Sequence, residues 1–194
     1  LEAIDWRPCK GLNVLVGPNG GGKTSLLEAI HLAAVGRSFR TRDTAQIIRR
    51  GLGGLSVSAW FERADGYSRH VRMDRDAAGT RISLDARALK TASELARSLP
   101  VLALSQDGVW RFKLSRSERR SLLDWGLFHV EPGFHAVWAR YRAALAQRNA
   151  ALRHRQPVAP WLDLIASSGE SITASREAYV QRLQLGVTRV CRCL

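Results

Sequence analysis

Residues 17–24 read Gly17-Pro18-Asn19-Gly20-Gly21-Gly22-Lys23-Thr24, the G-x-x-x-x-G-K-[ST] pattern of a phosphate-binding loop. Glycines let the backbone curl so that successive N–H groups point inward at phosphate oxygens, and a helix starting at the loop adds the positive end of its dipole. Lys23 supplies a point charge for β- and γ-phosphates, and the Thr24 hydroxyl supplies one coordination position on Mg²⁺. Ser25, next in line, completes the candidate set Gly17, Pro18, Asn19, Gly20, Gly21, Gly22, Lys23, Thr24 and Ser25. The chemistry is the holding of a nucleoside triphosphate, with most of the anion site built from backbone.

Such a loop works only between a strand and a helix. The apolar run Leu12, Val14, Leu15, Val16 predicts a buried strand feeding it. Leu26, Leu27, Ile30, Ala34 and Val35 recur at helical spacing after it, and Gly36 stands where a C-terminal glycine cap belongs, which predicts a helix from Thr24 to Val35. The pattern then changes to alternation. Leu55, Val57, Ala59 and Phe61 alternate with Ser56, Ser58 and Trp60, and His70–Met73 and Arg81–Leu84 follow as short strands separated by Asp65-Gly66 and Ala78-Gly79 turn signals. That is an antiparallel meander. Leu89–Leu99 fits a short helix and Val101–Leu104 a brief buried strand. Beyond it Phe134, Val137, Trp138, Tyr141, Leu145 and Leu152 form one long apolar helical stripe, with Arg140, Arg142, Arg148 and Arg153 on the remaining surface. Two prolines within Gln156–Pro160 break it, and Trp161–Ile165 with Ile172–Leu185 suggest a returning helix.

Composition is globular, with 45% hydrophobic and 24% charged residues. Thirty Lys and Arg against seventeen Asp and Glu leave a formal charge of +13. An excess that size suits a polyanionic partner, because cations that neutralise phosphates release counterions. It equally suits an Arg-rich coding bias or a plain basic surface. Cys9, Cys191 and Cys193 make no disulfide framework and lack the further Cys/His pairs of a zinc site, so they read as free thiols in a reducing cytoplasm. No signal peptide or bilayer-length apolar run is visible, and a soluble, cytoplasmic protein is expected.

The order of P-loop, helix, meander and helical segment resembles the first lobe of ABC-type ATPase heads. Two blocks narrow this. Glu28-Ala29-Ile30 followed by Gly36-Arg37-Ser38-Phe39-Arg40-Thr41 and Ile47-Ile48-Arg49 is similar to the N-terminal part of the bacterial RecF family. The string Arg119-Arg120-Ser121-Leu122-Leu123-Asp124-Trp125-Gly126-Leu127-Phe128-His129-Val130-Glu131-Pro132, and then Gln147-Arg148-Asn149-Ala150-Ala151-Leu152, resembles that family's RR-x-FLDWGLFHVEP and QRNALL segments almost residue for residue.

The resemblance implies an α/β fold: a P-loop lobe with an antiparallel meander over residues 1–105, then a helical lobe or arm over 106–194. It implies an SMC-like, ABC-type ATPase that binds ATP and Mg²⁺ and dimerises around the nucleotides. It also implies binding to DNA, both duplex and single-strand/duplex junctions, and action in replication, the SOS response and repair of gapped DNA, where RecO and RecR are partners and RecA loading is the outcome. Gln106, about eighty residues past the loop and after a short strand, suits the Mg²⁺-contacting glutamine of ABC heads and suits an ordinary loop residue equally well. Arg119 and Arg120 fit DNA or dimer contact, or a pair with Asp124 in the same helix. Arg37 and Arg40 fit the DNA surface or the capping of helix carbonyls.

The sequence also departs from the family. The resemblance implies a first strand and a Phe-Arg-Asn segment ahead of Leu1, which are expected to be missing here, and no Leu-Ser-x-Gly-Gln string or apolar run ending in Asp-Asp or Asp-Glu occurs in the sequence. The second half of the ATPase is expected to be absent and no catalytic residue is expected here; residues 186–194 match no pattern of the family. A self-contained P-loop kinase or GTPase is disfavoured, because no Asn-Lys-x-Asp base-recognition motif follows and the block at 119–132 would go unexplained. A DNA-binding module whose loop serves only the fold is the third reading, and it would hold DNA equally with or without ATP.

If the +13 charge is a binding surface, duplex affinity falls steeply with salt, with a log–log slope near −0.9 per phosphate neutralised and little sequence preference. Fluorescence anisotropy across a salt series checks this, and a flat response marks the charge as compositional.

Overall fold

The computed structural model describes residues 2–41, 44–62 and 65–192, with the side chains of residues 44, 45, 106, 107, 110 and 111 left aside. Two compact units divide the chain, Leu1–Ala103 and Leu104–Leu194.

In the first unit, helix α1 (Lys23–Val35) precedes four strands, β1 (Gly54–Glu62), β2 (Ser68–Asp76), β3 (Gly79–Leu84) and β4 (Arg87–Ala88), and the helix α2 (Ala92–Ser98). The sheet order is β1-β2-β3-β4, each neighbour antiparallel. Register follows from the period of two. Val57 faces Met73, Ala59 faces Val71, and Met73 and Val71 face Ile82 and Leu84 in turn, so one face of the sheet is apolar. Ala33 of α1 and Leu95 of α2 close on that face with Val71 and Leu84. Burying such side chains stabilises by about 1.5–3 kcal/mol each for the larger ones. The opposite face pairs Ser56 with Asp74, Ser58 with Arg72, and Trp60 with His70.

Gly36 ends α1 in the left-handed region (φ 72°), and its N–H donates to the Leu32 carbonyl at 2.8 Å. A side chain there would be strained, and its Cβ would also lie 3.0 Å from Ile82 Cδ1. Thr91 caps the start of helix α2, its hydroxyl accepting from the Glu94 N–H at 3.3 Å.

The second unit is helical: α3 (Gln106–Leu114), α4 (Arg116–Val130), α5 (Phe134–Arg153) and α6 (Ala159–Cys191). Leu127, Phe134 and Ile172 form its core, with Val137, Trp138, Tyr141 and Tyr179 packed around them. A polar tie runs beside this core. Asp124 on α4 accepts from Nε and Nη2 of the Arg176 guanidinium on α6, at 2.8 and 2.9 Å, and from the Trp138 indole N–H on α5 at 3.2 Å.

Several expectations are corrected. No strand forms at residues 12–16, where Leu12, Val14 and Val16 are 86%, 72% and 90% exposed. A strand exists through lateral hydrogen bonds, and among the described residues nothing pairs with this segment. Val101–Leu104 is irregular for the same reason. Gln106 therefore opens helix α3 and follows no strand, and its side chain lies outside the described residues. The two helical pieces expected after Pro160 are one helix of 33 residues. Its polar stretch is accommodated because Ser167, Ser171, Thr173 and Ser175 donate to carbonyls four residues back, at 2.9–3.1 Å. Residues 186–191 continue that helix. Asp124 is taken by Arg176 and Trp138, and the pair with Arg119 or Arg120 that the spacing left open does not form among the described residues.

Gly126 lies buried where α4 meets α6, and a Cβ there would sit 2.1 Å from the Tyr179 hydroxyl and 2.5 Å from its ring. Gly126→Ala should therefore destabilise the protein by about 2 kcal/mol through overpacking. Tyr179→Ala in the same chain should recover part of that loss, so urea denaturation of the two singles and the double will show non-additivity; additive losses would contradict the contact.

Acid should loosen the sheet. Hydrogen bonds from the Arg72 and Arg81 guanidinium groups hold Asp74 and Asp76 below the ordinary aspartate value of 3.8, and the His70 backbone N–H does the same for Asp85. These carboxylates stabilise the fold while ionised, so their contribution is present above pH 3.8 and is lost as pH falls through the depressed folded values. Circular dichroism melts should show a small drop in midpoint between pH 5 and pH 3, shrinking in Asp74→Asn/Asp76→Asn.

Candidate phosphate-binding site

The loop is shaped by backbone before any ligand is considered. Gly20 and Gly22 lie in the left-handed region (φ 81° and 87°), conformations that side chains disfavour, and the Gly21 N–H closes a turn on the Pro18 carbonyl at 3.1 Å. Gly22 is the residue before α1, and no side chain caps that helix. The first helical hydrogen bond runs from the Leu26 N–H to the Gly22 carbonyl at 2.9 Å, which leaves the N–H groups of Gly22, Lys23, Thr24 and Ser25 without an acceptor among the described residues. Unsatisfied donors at a helix N-terminus, open to solvent, are a ready anion site.

Lys23 lies across the loop. Its Nζ donates to the carbonyls of Gly17 at 2.7 Å and Pro18 at 2.8 Å. An ammonium carries three donors, so one remains for a phosphate oxygen while the other two hold the loop in shape. The Thr24 side chain is exposed at the start of the helix, where a hydroxyl oxygen is available to a hard cation. The donors present thus fit a polyphosphate and its Mg²⁺.

One turn along α1, Glu28 is only 7% exposed. Sequence reading did not single it out as a site residue. The Ser38 hydroxyl donates to its Oε1, and Arg40 donates to Oε2 at 3.2 Å. Ser38 Oγ in turn accepts the N–H groups of Arg40 at 2.9 Å and Thr41 at 3.2 Å. The segment after Gly36 is thereby fastened to the back of the phosphate-loop helix, and His31 adds a contact from Nδ1 to the Arg37 carbonyl at 2.7 Å.

The four candidate arginines separate into two pairs. Arg40 is engaged with Glu28, and Arg119 donates to the carbonyls of Phe112 at 3.3 Å and Lys113 at 3.0 Å, capping the end of α3. Carbonyl capping was the reading held open for Arg37 and Arg40, and it is Arg119 that does it. Arg37 and Arg120 are exposed, with no side-chain hydrogen bond or ion pair among the described residues.

Comparison with known proteins bears on the whole chain. Residues 2–131 match the family described as AAA domain. The DNA replication and repair protein RecF of Nitrosococcus oceani is 38% identical over 205 residues, an alignment covering 100% of this chain and 54% of that protein. RecF of Stenotrophomonas maltophilia is 39% identical, covering 95% and 52%. The solved structure of the recombination mediator protein RecF with ATP, from the RecFOR pathway, superposes with a TM-score of 0.80 at 24% identity, over 92% of this chain and 50% of that one. The chain spans about half the length of these relatives. The architecture is accordingly that of a P-loop ATPase lobe with an antiparallel meander followed by a helical lobe. With an AAA domain matched over two thirds of its length, the chain belongs to the AAA domain family, and it is similar to RecF proteins over about half of their length.

Proposed function

We propose that residues 17–25 bind ATP with Mg²⁺, and that the chain is the ATP-binding portion of a DNA-binding protein of replication and repair. The observation that carries this reading is the uncapped start of α1 behind left-handed Gly20 and Gly22, with Lys23 poised across the loop. Gly22, Lys23, Thr24 and Ser25 would hold phosphate oxygens through backbone N–H groups, and Thr24 would hold the metal; Mg²⁺, when bound, neutralises phosphate charge. Gln106 is proposed as a further Mg²⁺ contact on family resemblance alone. Arg37, Arg40, Arg119 and Arg120 are proposed for DNA or dimer contact, with the guanidinium groups of Arg37 and Arg120 uncommitted among the described residues. Residues 1–105 would serve the nucleotide and 106–194 the helical lobe. For the intact protein the reading extends to a cytoplasmic, ATP-dependent homodimer. That dimer acts at gapped DNA and at single-strand/duplex junctions with RecO and RecR, promotes RecA loading, and belongs to the SOS response.

Lys23→Ala should weaken ATP–Mg²⁺ binding by roughly 1.5–3 kcal/mol, the value of one charge-assisted contact. Calorimetric titration of the folded variant measures it, and equal affinity would sink the proposal. Hydrolysis should stay near background in phosphate-release assays with or without duplex DNA. Loop contacts stabilise ground and transition states alike, and the sequence has no apolar run ending in Asp-Asp or Asp-Glu to orient water. DNA-stimulated turnover abolished by Lys23→Ala would revive the self-contained enzyme.

A further inference from the structure

The last three turns of α6 carry an apolar stripe that starts at Tyr179, which packs on the helical core, and runs on past that core. Tyr179, Leu183, Gly186, Val187 and Val190, with Val130 from the end of α4, line an open groove of about 590 Å³. Spacings of three and four residues put them on one face of the helix. Val187 and Val190 are each 59% exposed. At Gly186 an added Cβ would meet no heavy atom within 4 Å, so the groove has room at its midpoint for an incoming side chain.

The edge of the stripe is cationic. Arg182 and Arg189, seven residues apart, run along one side of it, Arg192 follows, and residues 178–192 contain no Asp or Glu. Arg182 pairs with Glu131 at 3.6 Å and keeps 56% of its side chain exposed, while Arg189 and Arg192 make no ion pair among the described residues. A second copy of this helix would set three arginines against three, which disfavours self-association. A flat bilayer surface fits a concave groove less well than a convex rod does.

From this arrangement we infer that the groove between the end of α4 and the last turns of α6 is a docking site for an amphipathic helix of a partner protein. Its apolar anchors recur at helical spacing, and acidic residues lie along the edge facing Arg182 and Arg189. This is the helix-in-groove mode, in which buried anchors supply affinity and the charged edge selects orientation and partner.

The test uses the full chain and a fluorescent designed peptide with Leu at helical spacing and Glu along one edge, read by anisotropy. The acidic peptide should bind at least tenfold more tightly than the same peptide with Lys for Glu. Val187→Asp should weaken binding at least tenfold, and Arg189→Glu several-fold with a flatter salt dependence. Both positions are exposed, so unchanged circular dichroism is expected; should Val187→Asp not fold, Val190→Glu serves in its place. Equal binding of the two peptides, or indifference to the groove variants, overturns the proposal. So does stronger capture by phosphatidylserine vesicles than by peptide, or a dimer in light scattering that Val187→Asp abolishes.

Discussion

Backbone N–H groups without acceptors are tolerated only where something polar, solvent or ligand, can reach them, and the amides of Gly22, Lys23, Thr24 and Ser25 set that requirement for the whole first unit. A helix that leaves its N-terminus open forgoes a side-chain cap, typically worth about 1 kcal/mol, so its stability must come from elsewhere. Here it comes from the buried side of α1, where Leu26, Leu32, Ala33 and Ala34 are buried and Ala33 packs with Val71, Leu84 and Leu95, and from the glycine cap at Gly36. Ser38 and Arg40, bonded to Glu28, secure the same helix from behind. The sheet is thus a base that lets one helix end stay chemically unfinished.

The helical unit solves a different problem, the alignment of three helices on a small core. Leu127, Phe134 and Ile172 provide burial without direction. Asp124 provides direction, since a bidentate contact to Arg176 and an indole N–H from Trp138 can all be met only when α4, α5 and α6 stand in one register. Gly126, two residues on, lets Tyr179 come close enough for that register to exist.

Local chemistry was legible in the sequence and lateral pairing was not. The Gly36 cap and the alternation from Leu55 to Phe61 act through neighbours a few residues away, and the structure places both as their spacing predicts. Leu12–Val16 and Val101–Leu104 are apolar enough for buried strands, but a strand depends on a partner that its own residues do not encode. The same limit explains Asp124: spacing offered Arg119 and Arg120 on its own helix, whereas the chosen partner lies 52 positions away. Glu28 escaped notice because a carboxylate on a helix gives no sign of burial until the segment bearing Ser38 and Arg40 folds over it.

Helix α6 has 33 residues and α5 has 20, so at about 1.5 Å per residue one is some 20 Å longer than its antiparallel neighbour. Phe134, at the start of α5, packs near Ile172, so the excess lies at the far end. Amide exchange with deuterated solvent should consequently be graded along a single helix. Amides up to about Ile172 open only with the unit as a whole, and those past Tyr179 open through fraying, with protection decreasing turn by turn toward Cys191.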